Sequence, residues 1–98
     1  MKRILLGLLL AVSFASAQLE LNVESTVVRK NVPLRIFVNS DKSATLHIYN
    51  RFGNLVYSAK VMGREVHTYS FRKHGIYIIV LRDEVSNTLK KIILVVPN

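Results

Sequence analysis

From Leu19 onward the sequence alternates apolar and polar residues with period two. That spacing sends successive side chains to opposite faces of an extended chain, whereas a helix needs a period near 3.6. No stretch beyond residue 18 combines helical spacing with helical length, so this part of the chain is confined to strands and turns.

Seven runs carry the alternation. In the first, Leu19, Leu21, Val23 and Val27 share one parity and Glu20, Asn22, Glu24 and Thr26 the other. The second places Val32, Leu34, Ile36 and Val38 inward, with Arg35 and Asn39 outward. Pro33 has no amide donor and belongs at an edge or among the first residues of this strand. Asn39-Ser40-Asp41-Lys42-Ser43 supplies turn chemistry. The third run alternates Ala44, Leu46 and Ile48 with Thr45, His47 and Tyr49, and closes at Asn50-Arg51-Phe52-Gly53-Asn54, where Gly53 suits a positive φ. Leu55 to Met62 is the fourth, ended by Gly63, and Glu65 to Phe71 is the fifth. After Gly75, the unbroken apolar Ile76 to Leu81 predicts a central strand covered on both faces. Arg82-Asp83-Glu84 returns the chain to water, Val85-Ser86-Asn87 turns it, and Thr88 to Val96 is the seventh strand. The expected fold is therefore all-β, a seven-stranded antiparallel immunoglobulin-like sandwich. A five-stranded open barrel of the OB kind is the alternative. Tyr77, near the start of the sixth strand, stands where such sandwiches place a tyrosine whose hydroxyl bonds back to upstream backbone.

Residues 1–17 have a different character. Lys2 and Arg3, the apolar Ile4 to Phe14, and Ala15-Ser16-Ala17 together have the form of a secretory signal peptide. The apolar run is shorter than the roughly 20 residues a spanning helix needs, and no later run replaces it; an uncleaved leader acting as a tether is the competing reading. Removing 17 residues from 98 leaves 81, residues 18–98, as a single domain, and the net charge drops from +8 to +6 as Lys2 and Arg3 leave. The absence of cysteine excludes disulfides and thiolate metal sites, so apolar packing and backbone hydrogen bonds must hold the fold. About 80 residues provide one thin core and little room for a deep pocket.

Chemistry is sparse. His47, His67 and His74 match no compact metal-ligand spacing, and Asp83-Glu84 falls at a strand end where a solvated turn accounts for it. Gly53, Gly63 and Gly75 are too scattered to cradle a phosphate, and no nucleophile motif is present. The expectation is a non-enzyme without metal or cofactor, and no binding residue stands out. The basic residues are spread over strands and turns, as on a solvated surface. Outside the cytoplasmic membrane their anionic counterparts are lipid phosphates, lipopolysaccharide or acidic glycans rather than nucleic acid. The first and last strands offer edges for pairing with a protein partner.

Residues 44–96 resemble a known family. Leu46-x-Ile48-Tyr49-Asn50-x-x-Gly53-x-x-Val56, then Gly75-Ile76-Tyr77-Ile78, then Lys91 followed by Ile92, Ile93 and Leu94, is similar to the C-terminal sorting domain (type A) of the type IX secretion system. Val32-Pro33 stands where that family usually has an Asn-Pro turn. The resemblance implies an immunoglobulin-like domain that addresses an exported protein to an outer-membrane translocon. The function expected is that of an exported, non-catalytic binding module in secretion or at the cell envelope, located in the periplasm, on the outer-membrane surface or outside the cell. The alternative is a stand-alone structural or adhesive envelope module unrelated to type IX export.

Overall fold

The computed structural model describes residues 19–97, and the leader expected over residues 1–17 lies outside the described residues. Six strands run in chain order: β1 (Leu19–Val23), β2 (Val27–Arg29), β3 (Pro33–Asn50), β4 (Leu55–Ser70), β5 (Gly75–Asp83) and β6 (Thr88–Val96). They form one sheet in the order β1-β3-β5-β6-β2, with β4 also paired to β3.

The strand count differs from seven because two expected chain reversals are bends within strands. Asn39 to Ser43 stays extended, and the pairing with β4 only shifts register between Ser40 and Ala44. Gly63 lies directly opposite Ser40 and has a φ of 76°, a conformation that penalises residues with a Cβ. Both strands of the hairpin therefore bend at one level. The buried Ser40 hydroxyl donates to the Lys42 carbonyl at 2.6 Å and accepts from the Lys42 amide at 3.3 Å, which occupies polar groups that the bend takes out of the ladder. The second and third expected strands are thus the two halves of β3, and the fourth and fifth the two halves of β4.

The bend curls the sheet. The first half of β3 lies between β1 and β4, and the second half between β4 and β5. Leu34, Ile36 and Val38 from one arm and Leu46, Ile48, Ile79, Leu81, Ile93 and Val95 from the other share one apolar cluster. Every member of that cluster falls between Leu21 and Val95.

The first expected strand divides in two, and the expected all-antiparallel pairing has one exception. Residues 19–23 pair antiparallel with β3, whereas 27–29 pair parallel with β6. Parity changes in between, so Val27, expected inward, is 54% exposed, and Val28 joins the core instead. Glu24 anchors the crossing: its carboxylate accepts from the Arg35 amide at 3.0 Å and from the Arg35 guanidinium at 3.1 and 3.2 Å. The backbone donor first, and then the guanidinium, hold this carboxyl below its ordinary pKa.

β5 is central, between β3 and β6, but its outer face is less covered than the apolar run predicts. Tyr77, Ile79 and Leu81 point inward and are buried, while on the other side Val80 is buried among its neighbours, Ile78 half-buried and Ile76 47% exposed. The Tyr77 hydroxyl donates to the Lys73 carbonyl at 2.9 Å, the corner expected of this tyrosine. Removing that bond in Tyr77→Phe is expected to cost about 1 kcal/mol, lowering the thermal midpoint by about 4–8 °C in a domain of this size. A thermal melt of the purified domain checks it, and an unchanged midpoint rejects a stabilising role for the corner.

Candidate functional site

Two turns meet at one end of the sheet. The β3–β4 turn is built on Asn50, whose side-chain carbonyl accepts from the Phe52 and Asn54 amides at 3.0 Å each. Gly53, with φ 83°, donates its amide to the Asn50 carbonyl at 3.0 Å, as its position in the motif predicts. The β4–β5 turn is held by Tyr77 through the Lys73 carbonyl. The cleft between the turns has a volume of about 340 Å³.

Arg51 and Phe52 line it from the first turn, and Lys73, His74 and Ile76 from the second. No carboxylate is among its lining residues. The Arg51 guanidinium lies 4.8 Å from the centre of the Phe52 ring, close enough for a cation–π contact, and Phe52 is 74% exposed. Cationic and amide donors beside exposed aromatic and aliphatic groups suit an anion attached to an apolar body. Arg51 and Lys73 are far apart in sequence, so run-by-run reading misses the cleft. Its signal was nevertheless present, because Asn50-x-x-Gly53 and Gly75-Ile76-Tyr77 are the two turn motifs that carry the resemblance.

The three histidines are dispersed. His47 on β3 has its Nδ1 3.1 Å from the Tyr49 hydroxyl, and His67 on β4 lies 3.1 Å from the Tyr57 hydroxyl and 2.8 Å from Glu65. His74 lines the cleft. Glu65 also accepts from the Met62 amide at 3.0 Å, and this bond, then that of His67, lowers its pKa. Glu84 lies exposed in the β5–β6 turn as expected, but Asp83 ends β5 and is 6% exposed rather than solvated, because its carboxylate caps that turn. The Asp83 carboxylate accepts from the Val85 amide at 3.0 Å, the Asn87 amide at 2.8 Å and the Asn87 side chain at 2.9 Å. Burial pushes this carboxyl up, but these donors outweigh it and leave the pKa below its ordinary value.

The edges differ from expectation in one respect. β1 pairs only with β3 and is an edge, as foreseen, but the last strand is flanked by β5 and, from Leu94 to Val96, by β2. Among the described residues β4 pairs only with β3 along its length and presents the longer open edge. Lys60 and Arg64 stand exposed along it, the placement of charge that discourages indiscriminate pairing.

Comparison with known proteins gives a family and a fold. The profile of the secretion system C-terminal sorting domain matches residues 21–95, from β1 through β6. No curated protein sequence matches significantly. Among solved structures, superoxide reductase (neelaredoxin) from Ignicoccus hospitalis is similar at 15% identity and a TM-score of 0.59, over 88% of this chain and 87% of that one. The CARDB domain of the PF1109 protein from Pyrococcus furiosus is similar at 20% identity and a TM-score of 0.49, over 82% and 90%. At such identities the likeness to the reductase concerns the fold alone.

Proposed function

The chain belongs to the secretion system C-terminal sorting domain family, and from that premise we propose that it is a non-catalytic recognition module for type IX export. Membership implies a secreted or cell-surface protein that meets the secretion machinery. Among the described residues no helix is long and apolar enough to cross a membrane.

One observation carries the reading: the family match runs over residues 21–95, which is the span of the core itself. What is recognised is then a folded surface rather than a short linear tag. The open edge of β4 and the exposed turns at the cleft end are the surfaces available to a protein partner. The site of action in this proposal is the outer membrane, reached through the periplasm.

The test is delivery. Residues 18–98 are fused behind a periplasm-directed fluorescent reporter in a host that possesses the type IX system and in the same host lacking its translocon. Surface or extracellular reporter only in the first host is the expected result. Periplasmic retention in both rejects the sorting role.

A further inference from the structure

On the convex side of the curled sheet, opposite the core, the register defines a face of unusual composition. Tyr77, Ile79 and Leu81 point inward, so Ile76, Ile78, Val80 and Arg82 of β5 point out. Their partners on β6 are Leu94, Ile92, Lys90 and Thr88. On β3 the corresponding partners are Tyr49 beside Ile78, His47 beside Val80 and Thr45 beside Arg82. Val27 of β2 adds to the row through Leu94, and Lys60 of β4 through Thr45.

The centre of this face is an apolar stripe. Val27, Leu94 and Ile76 form one row and Ile92 and Ile78 the next, with Ile92 64% exposed. Cations bracket the stripe. Lys90, Arg82 and Lys60 lie toward one end, while Arg29 follows Val27, and the cleft cations Arg51 and Lys73 adjoin Ile76 at the other. Five of the six acidic residues lie away from this face, and Glu84, just past the end of β5, stands at its Arg82 margin, where its amide donates to the Ser43 carbonyl at 3.1 Å. Glu20 and Glu24 belong to β1 and the crossing after it, Glu65 to the far half of β4, Asp41 to the bend, and Asp83 to the buried end of β5.

We propose that this face, the outer side of β5 and β6 with the adjoining cleft, docks on the headgroup layer of an anionic lipid membrane. Charge complementarity selects this occupant. Lys and Arg at the margins of an apolar stripe keep their charges at headgroup level while the aliphatic side chains between them enter the acyl boundary. The cleft, with Arg51 and Lys73 beside Phe52 and Ile76, seats a phosphate whose apolar remainder lies against the stripe. A second copy of the chain is disfavoured as occupant, because isologous contact would oppose cations to cations with the single marginal carboxylate of Glu84 to relieve them. This inference is independent of the sorting role, and the two fail separately, since membrane binding requires no translocon.

Vesicle flotation with residues 18–98 tests it, using phosphatidylcholine vesicles with and without phosphatidylglycerol. Binding is expected only with phosphatidylglycerol and is expected to weaken as salt is raised. Lys90→Gln and Arg82→Gln should each weaken it by about fivefold, and Ile92→Ser should weaken it further. These side chains are exposed, and the circular-dichroism melt of each variant is expected to match that of the parent. Arg64→Gln removes the same charge from the far half of β4 and should leave binding unchanged. Failure to bind phosphatidylglycerol vesicles at low salt overturns the proposal, as does equal loss in Arg64→Gln, which would mean unspecific attraction to net charge. A lipid-free dimer that Ile92→Ser dissolves would assign the face to self-association and overturn it too.

Discussion

Phe71→Ala is expected to destabilise the domain by about 3–5 kcal/mol, the usual cost of emptying a buried aromatic site. Phe71 is 1% exposed and sits where β4 ends. Its ring lies 4.9 Å from that of Tyr69, edge-on at 81°, and 4.6 Å from that of Tyr77. Its carbonyl accepts from the Asn31 amide at 2.7 Å, which ties the β2–β3 turn to the end of β4. Truncation would leave the hydrogen bond its atoms but remove the ring that spaces Tyr69 from Tyr77. A domain of this class has only about 5–15 kcal/mol in total, so the variant is expected to be partly unfolded at ordinary temperature. Urea unfolding followed by tyrosine fluorescence measures it. A loss below about 1 kcal/mol would contradict the burial, and Phe71→Leu, which keeps most of the volume, should recover a large part of the loss.

Ile36→Ala is the second large effect, about 2–5 kcal/mol, and it tests something else. Ile36 is fully buried in the first half of β3, between Val23 of β1 and His67 of β4. Leu46, equally buried, lies past the bend between Ala59 and Leu81. If both arms belong to one core, Ile36→Ala shifts a single transition, seen alike by far-ultraviolet circular dichroism and by tyrosine fluorescence. Two separated transitions in that variant would mean that the β1 arm unfolds by itself, and that the bent hairpin joins two weakly coupled units.

The inner face was legible where alternation ran within a strand, whereas Val32, expected inward, precedes β3 in the turn and is 45% exposed. Leu34, Ile36 and Val38, then Ala44, Leu46 and Ile48, are buried as their parity requires. The limits of the last strand and the Tyr77 corner also followed from local chemistry. The bends did not, because Asn39 to Ser43 has the same polar composition whether the chain reverses or only bends, and the deciding element, Gly63, lies on another strand. The split between β1 and β2 turned on two adjacent valines, of which either could have faced inward. The unbroken run from Ile76 to Leu81 was read as covered on both faces, and the outer face is covered only in part, with Val80 buried and Ile76 47% exposed, because a sequence does not say what covers a second apolar face. The cleft escaped because it joins turns whose proximity depends on the register of β3 against both β4 and β5.

The parallel seam between β2 and β6 has a consequence in time. β2 is synthesised well before β6, yet Val27 to Arg29 pair with Leu94 to Val96. The β3–β4 hairpin is local and closes at small entropic cost, whereas the seam joins distant parts of the chain and closes late. Ile93 and Val95, fully buried members of the core, are likewise delivered only then. Under the proposed sorting role, a receptor that reads the folded surface would meet it only once the last strand has been made and transferred, so the fold itself would report that the domain has arrived whole.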